Sequence, residues 1–352
     1  MDTHAVETFL SQPEERRAIR NSNCTYRMDG QISISVPIVT RSWRTRAYVD
    51  SPISMLSSYG RSNAKNLAPG LNRFLAVRMS PALTFLLQLL RIDRYVLVGN
   101  LPFSTVLHYH TGPGELVAEV LRIRETTNRP VGIRGLNEFE HQRELKAFAN
   151  RDFVVIPARR INIVSDFDEA MKHRDARRDL KLLERQPDLD LTETSSVSEK
   201  DAETIADLYQ GLYIQKYSEE NPYYSPGFIR SSINSGILRG RTLRHRSKGI
   251  VGFNTYYTNS TTMTGPMMGY RMDLNSEYPL YRILMIAQLS DALSDAKILN
   301  WSSGSDRFKK NRGADQYMEY LCVLPDTKLE RQVFNALKKL MISFLGGESV
   351  HG

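Results

Sequence analysis

The chain has 352 residues, 41% hydrophobic and 24% charged, with 47 Lys and Arg against 39 Asp and Glu and a formal net charge of +8. That balance excludes a disordered tail, a collagen-like fibre and a disulfide scaffold, and the length fits two domains at roughly 100–200 residues each. The surplus of cations calls for an acidic partner such as nucleic acid, a phosphate cofactor, an acidic carrier protein or an anionic membrane surface.

In chain order, a short helical stretch runs to about Arg20, without the apolar core of a secretory signal. Asp29-Gly30 marks a hairpin turn, and Gln31 to Val39 alternates apolar residues at period two, which predicts a half-buried strand. A second strand is expected at Thr45 to Val49. Ser80-Pro81 reads as the start of a helix, Ser80 to Leu90. Its run Pro81 to Leu90 is the most apolar in the chain and ends at Arg91. It is too short to span a bilayer, and it reads as a core helix rather than a membrane-lying one. Strands are expected at Arg94–Val98, Val131–Leu136 and Phe153–Ile156, and helices at Glu115–Thr127 and Glu138–Asn150. Strands alternating with helices of this length indicate an α/β domain.

The second half repeats the grammar. Helices are expected at Asp168–Gln186, Ser198–Ser218 and Pro226–Ser235. Strands follow at Ile237–His245, Lys248–Tyr257 and Thr262–Asp273, after an earlier one at Leu189–Thr194. An apolar helix, Tyr281–Ala296, precedes strands at Ile298–Trp301 and Glu319–Leu324. A helix over Thr327–Phe344 closes the chain. The same order occurring twice implies an α/β (α+β) fold of two similar domains, residues 1–165 and 166–352, joined between Pro157 and Asp168.

Most catalytic signatures are missing. There is no GxSxG elbow, no Walker A run and no GxGxxG after a strand; Gly99, Gly112 and Gly114 do not supply one. Cys24 and Cys322 lie far apart with no CxxC or Cys/His spacing, which fits a reducing cytoplasm. His108 and His110 would face one side of a strand, but no third ligand is spaced to join them, so no metal is expected. The informative region is Met267 to Gly313. It reads as strand, turn, apolar helix, strand and a glycine-flanked loop with Gly304, Asp306, Arg307, Phe308, Lys309, Lys310 and Arg312, a plausible anion site.

This region resembles the signature of FemAB-like and CelD-like acyltransferases, a branch of the GNAT superfamily. Tyr281 stands at the helix start. Gly304, Asp306, Phe308, Lys309 and Gly313 match the pattern glycine, acid, aromatic, lysine, glycine. The charged stretch His173 to Arg185 is similar to the cationic helix that opens the second domain of that branch, and Val131 to Arg160 to the closing elements of its first domain. The resemblance implies two tandem GNAT-like domains, each a central mixed sheet flanked by helices, with the site in the second. It implies an N-acyltransferase that moves an acyl group from a thioester donor to an amine by direct attack, on a small molecule or peptide acceptor. A backbone N–H at a splay between Met267–Asp273 and Leu299–Ser303 would polarise the carbonyl.

Carried over, Lys309 would stabilise the tetrahedral intermediate, with Asp306 and Tyr281 completing the catalytic set. Phe308 would pack against the acyl end, and Met268, Tyr270, Arg271, Gly304 and Arg312 would complete the donor site. Glu277 is the alternative general base to Asp306. Coenzyme A enzymes of this superfamily carry a glycine-rich pyrophosphate loop. Here Arg271 to Pro279 (RMDLNSEYP) has no glycine and two acids. No permanently bound cofactor is expected, and three co-substrates stay open: acyl-CoA held differently, an acyl carrier protein, or aminoacyl-tRNA as Fem-type enzymes use. Arg174, Arg177, Arg178 and Lys181 recur at helical spacing and form a candidate polyanion patch. Tyr209, Tyr213 and Tyr217 share a helix face and read first as core. The opposing class is a binding protein that keeps the fold without the chemistry.

Overall fold

The structure, a computed structural model, describes residues 3–13, 19–38, 45–57, 71–108 and 112–345. Helix α1 (Thr3–Leu10) leads to the hairpin β1 (Cys24–Asp29) and β2 (Ile32–Pro37), turned at Gly30 with φ +64°. Next come α2 (Pro52–Leu56), capped by Ser51, and α3 (Leu71–Leu89). The strand expected at Thr45–Val49 is absent, and those residues form a loop and turn. Helix α3 passes through Ser80-Pro81 instead of starting there. Proline removes one helical hydrogen bond, but Leu83, Leu87 and Leu90 anchor the helix on the core, and packing outweighs the start signal.

The first half continues with β3 (Val96–Val98), α4 (Pro113–Thr127), β4 (Val131–Asn137), α5 (Gln142–Ala149) and β5 (Val154–Val164). The second half holds α6 (Phe167–Lys172), α7 (Arg174–Leu180), β6 (Leu189–Thr194) and α8 (Glu199–Tyr209). The expected single helix Asp168–Gln186 is thus broken at His173, where the backbone is extended (ψ 125°). Helix α8 runs on as π-helix over Gln210–Tyr217. Then follow α9 (Pro226–Asn234), β7 (Arg239–His245), β8 (Gly249–Thr258), β9 (Thr262–Thr264), β10 (Met268–Tyr270), α10 (Leu280–Ser294), β11 (Ile298–Asn300), α11 (Asp306–Lys310), β12 (Asp315–Val323) and α12 (Lys328–Leu345).

Among the described residues all strands join one mixed sheet of 12, in the order β1-β2-β3-β4-β12-β5-β11-β9-β8-β7-β6, with β10 also on β8. Each half runs an antiparallel meander into a strand, crosses over through a helix and returns parallel: β3 to β4 through α4, and β9 to β11 through α10. The halves exchange their closing strands. β12, last in the chain, lies between β4 and β5, while β5 lies between β12 and β11. The stretch expected as a join is largely β5 itself, which is longer than the sequence predicts because it is paired on both sides.

Apolar faces close the layers. Val117, Val120 and Ile123 of α4 pack with Ile34, Val96, Val98 and Ile133, and Phe334 and Leu337 of α12 pack with Leu97, Ile156 and Leu321. Helix α10 is apolar nearly all round and buried accordingly.

Candidate active site

The expected strand Thr262–Asp273 is two strands with a break, and the break makes the site. At Gly265 a Cβ would sit 2.0 Å from Gln288 Nε2, so a larger residue would have to displace that buried amide. Pro266 follows and has no N–H to give to a ladder. β9 pairs with β11 up to Thr264 and Asn300. Beyond Asn300 the chain follows β5: Trp301 N–H donates to Asn162 O (2.8 Å) and Asn162 N–H to Ser302 O (2.9 Å). β10 instead stays with β8. The strands therefore part at the place the resemblance implies.

The register fixes which groups face the gap. Thr255 N–H donates to Met267 O (2.9 Å) and Arg271 N–H to Val251 O (2.8 Å), so residues 267, 269 and 271 bond toward β8. By antiparallel alternation, Met268 and Tyr270 turn their N–H and C=O to the opposite edge. That edge can polarise a carbonyl.

Aromatic rings gather beside it. Tyr281, at the start of α10, lies 6.0 Å from Tyr270 and 4.9 Å from Phe308 between ring centroids. Burial pushes the Tyr281 hydroxyl up to about 12, with Ser305 as an opposing hydrogen-bond partner. The π-helix adds Tyr213 and Tyr217, whose rings are 6.0 Å apart; π-helical turns are common at functional sites. Tyr209 is core, as expected, whereas Tyr217 is 51% exposed.

The loop after β11 is built on positive φ at Ser302, Gly304, Ser305 and Gly313. Where a loop was expected, Asp306–Lys310 forms the short helix α11. Lys309 is buried beneath it and donates to the carbonyls of Trp301 (2.7 Å), Ser302 (3.2 Å) and Ser303 (2.9 Å). Its three N–H donors thus hold the loop rather than project toward an oxyanion, as a buried ammonium requires. Burial lowers its pKa to about 7, against the pull of Asp306. Asp306 is exposed and accepts from Asn162 Nδ2 (2.9 Å), and Gly304 is exposed at the rim.

Arg312, expected in the donor site, is instead buried, with its guanidinium on Asp179 and on Phe308 O (2.7 Å). Arg271 is exposed and paired with Asp273. The N-terminal end of α10, where a pyrophosphate would sit in a coenzyme A enzyme, is occupied: Tyr281 N–H donates to Asn275 Oδ1 (3.1 Å). Of the expected patch, Arg177 is spent on Met171 O (2.9 Å) and Lys172 O (2.7 Å), and Arg178 on Asp175 and Asp179. Arg174 and Lys181 are exposed.

In the first half the matching gap is filled. β3 ends at Val98, and the buried Arg134 guanidinium binds Asn100 Oδ1 (2.7 Å), Leu101 O (3.1 Å) and Phe103 O (2.6 Å) of the segment that follows. His108 Nε2 bonds Arg134 O (2.6 Å); His110 lies outside the described residues. Among the described residues no group of three or more His, Cys, Asp or Glu is arranged to hold a metal, and no helix is long and apolar enough to cross a membrane. A surface cavity of about 450 Å³ lies elsewhere, lined by Leu121, Arg124, Arg129 and Asp326.

Three site residues escape the sequence. Asp179 gathers arginines distant in the chain. Trp301 Nε1 and Gln288 Nε2 are buried N–H groups without a hydrogen-bond partner, one following β11 and the other against Gly265. The pair Gly265-Pro266 signals the strand break, but a buried amide beside it leaves no pattern in a single sequence.

No family model and no curated protein matches the chain. Among solved structures, it aligns with the C-terminal domain (DUF2156) of a protein assigned as a lysylphosphatidylglycerol synthetase from Agrobacterium fabrum. That match has 11% identity and a TM-score of 0.51 over 99% of this chain and 97% of that one. It aligns with L-PGS from Bacillus licheniformis at 11% identity and a TM-score of 0.52, over 96% and 98%. FemX aligns at 9% identity with a TM-score of 0.49, over 68% and 83%. The fold is the one shared with these two synthetase structures, a large mixed sheet flanked by helices, in keeping with the α/β class the sequence predicts.

Proposed function

We infer that the chain transfers an acyl group to an amine from a polyanionic carrier, either acyl carrier protein or aminoacyl-tRNA. The carrying observation is the parted edge of β10, with Met268 and Tyr270 facing a gap beside Tyr270, Tyr281 and Phe308. In this reading the donor carbonyl accepts from an N–H of that edge, which stabilises developing negative charge. The amine nitrogen attacks the carbonyl carbon, and the C–S or C–O bond to the carrier breaks. Asp306 takes the amine proton, with Glu277 as the alternative, and the Tyr281 hydroxyl, kept neutral by burial, protonates the leaving sulfur or oxygen. Phe308 packs the acyl end, and Lys309 holds the loop that carries it.

Two features favour a macromolecular donor over free acyl-CoA. Asn275 occupies the helix start that would grip a pyrophosphate, and Arg174 and Lys181 offer exposed cations. The names of the two aligned synthetases agree with an aminoacyl donor.

The test is a donor panel of acyl-CoA, acyl carrier protein and aminoacyl-tRNA with the purified chain. Transfer that ribonuclease abolishes assigns tRNA, and transfer it spares assigns the carrier protein. Turnover from acyl-CoA alone, or no turnover with any donor, overturns the reading. So does transfer that survives Tyr281→Phe and Phe308→Ala undiminished.

A further inference from the structure

We propose that one face of α3 is a docking surface that seats this chain on an anionic phospholipid bilayer. Ala82, Phe85, Leu86 and Leu89 fall at i, i+3, i+4 and i+7 and so share one side of the helix. Phe85 is 67% exposed and Leu89 69%, beside Leu86 at 37%. Core burial was the expectation for this run, and only its other side meets it. Leu87 is buried, with Leu83 and Leu90 packed around it. Thr84 Oγ1 donates to Ser80 O (2.8 Å) and Ser57 Oγ (3.0 Å), and Ser80 Oγ to Ser57 O (3.3 Å). The helix is pinned, so the apolar stripe cannot roll inward.

Charge names the occupant. Between Asp50 and Asp93 the chain has no Asp or Glu but five cations, Arg61, Lys65, Arg73, Arg78 and Arg91, which is five of the net +8. A helix with an exposed Phe and Leu stripe in a cationic, acid-free segment has the make-up of an interfacial helix that lies in a lipid headgroup layer. A second copy of the chain is a poorer occupant, because the acid-free sequence around the stripe offers another copy of itself no counter-charge. α3 is not apolar enough to span, so it would lie flat.

The test needs no transfer assay and so stands apart from the catalytic reading. The full chain is sedimented with vesicles of phosphatidylcholine plus phosphatidylglycerol, and with vesicles of phosphatidylcholine alone. Binding is expected to the mixed vesicles, to weaken with added salt, and to fall about tenfold or more in the Phe85→Ser/Leu89→Ser double variant. Both side chains are exposed, so the variant should keep the wild-type melting temperature. The proposal is overturned if the wild type ignores the mixed vesicles or binds both kinds equally. It is also overturned if the double variant binds as well as the wild type. A wild-type dimer that the variant splits, with vesicle binding unchanged, would assign the stripe to a second copy instead.

Discussion

The guanidinium carbon of Arg312 lies 3.5 Å from the centre of the Phe308 ring, and that guanidinium is tied to Asp179. Asp179 is fully buried and also binds Arg178 (3.1 Å) and Arg282 (3.2 Å). One carboxylate therefore links α7, α10 and the ring at the gap. Burial would raise its pKa, but hydrogen bonds from Arg282, Arg312 and Arg178 bring it below the ordinary carboxylate range.

Asp179→Asn should cost about 3–5 kcal/mol in urea unfolding, because it leaves the buried Arg312 with only the distant Asp175 (4.0 Å) as counter-charge. The exposed Arg178→Ala should cost less than about 1 kcal/mol. The Asp179 contribution is present above the unfolded carboxyl pKa of 3.8 and is lost as pH falls through the lower folded value. Equal losses from the two variants would remove Asp179 as the organiser of this wall.

Lys309 carries a pH signature of the opposite kind. Its folded pKa, about 7, is below the ordinary 10.5, so the unfolded chain binds more protons between those values. The penalty of burying the ammonium is fully present below pH 7 and is relieved as pH rises toward 10.5. Melting temperatures of the wild type minus those of Lys309→Met should therefore rise with pH across that window. A difference that stays level would mean the three carbonyls keep the ammonium charged throughout.

Much of the frame was legible because it follows from period and punctuation. The alternation at Ile32, Ile34 and Val36, after Asp29-Gly30, became the β1–β2 hairpin, and the apolar run around Leu284 became the buried helix α10. What stayed hidden depends on which surface covers a residue. Thr262 to Asp273 reads as one strand although it carries its break in the sequence as Gly265-Pro266, and the buried Gln288 amide that fills the break shows only in the fold. Arg312 looks like a loop cation until Asp179, 133 residues away, is brought beside it. Phe85 and Leu89 match core residues in composition, and nothing local says that they stand exposed.

The strand break can be probed by coupling. Gly265→Ala places a methyl on the Gln288 amide and should cost about 1–3 kcal/mol. Gln288→Ala opens that space, so the double variant should recover most of the loss. Additive costs in the double-mutant cycle would show that Gln288 does not shape the break.

The basic patch divides by what each cation already does. Arg177 caps the carbonyls that end α6, so Arg177→Ala should lower stability more than donor affinity. Arg174 and Lys181 are exposed, and the reversal Arg174→Glu/Lys181→Glu should spare folding. With a polyanionic donor it should raise KM and leave kcat in place, because the cations bind the carrier away from the reacting carbonyl. Two lost phosphate contacts on RNA should flatten the plot of log affinity against log salt by about 1.5. An unchanged salt slope would place the carrier on another face, and a fall in kcat alone would mean that α7 acts through Asp179 on the gap rather than through its charge.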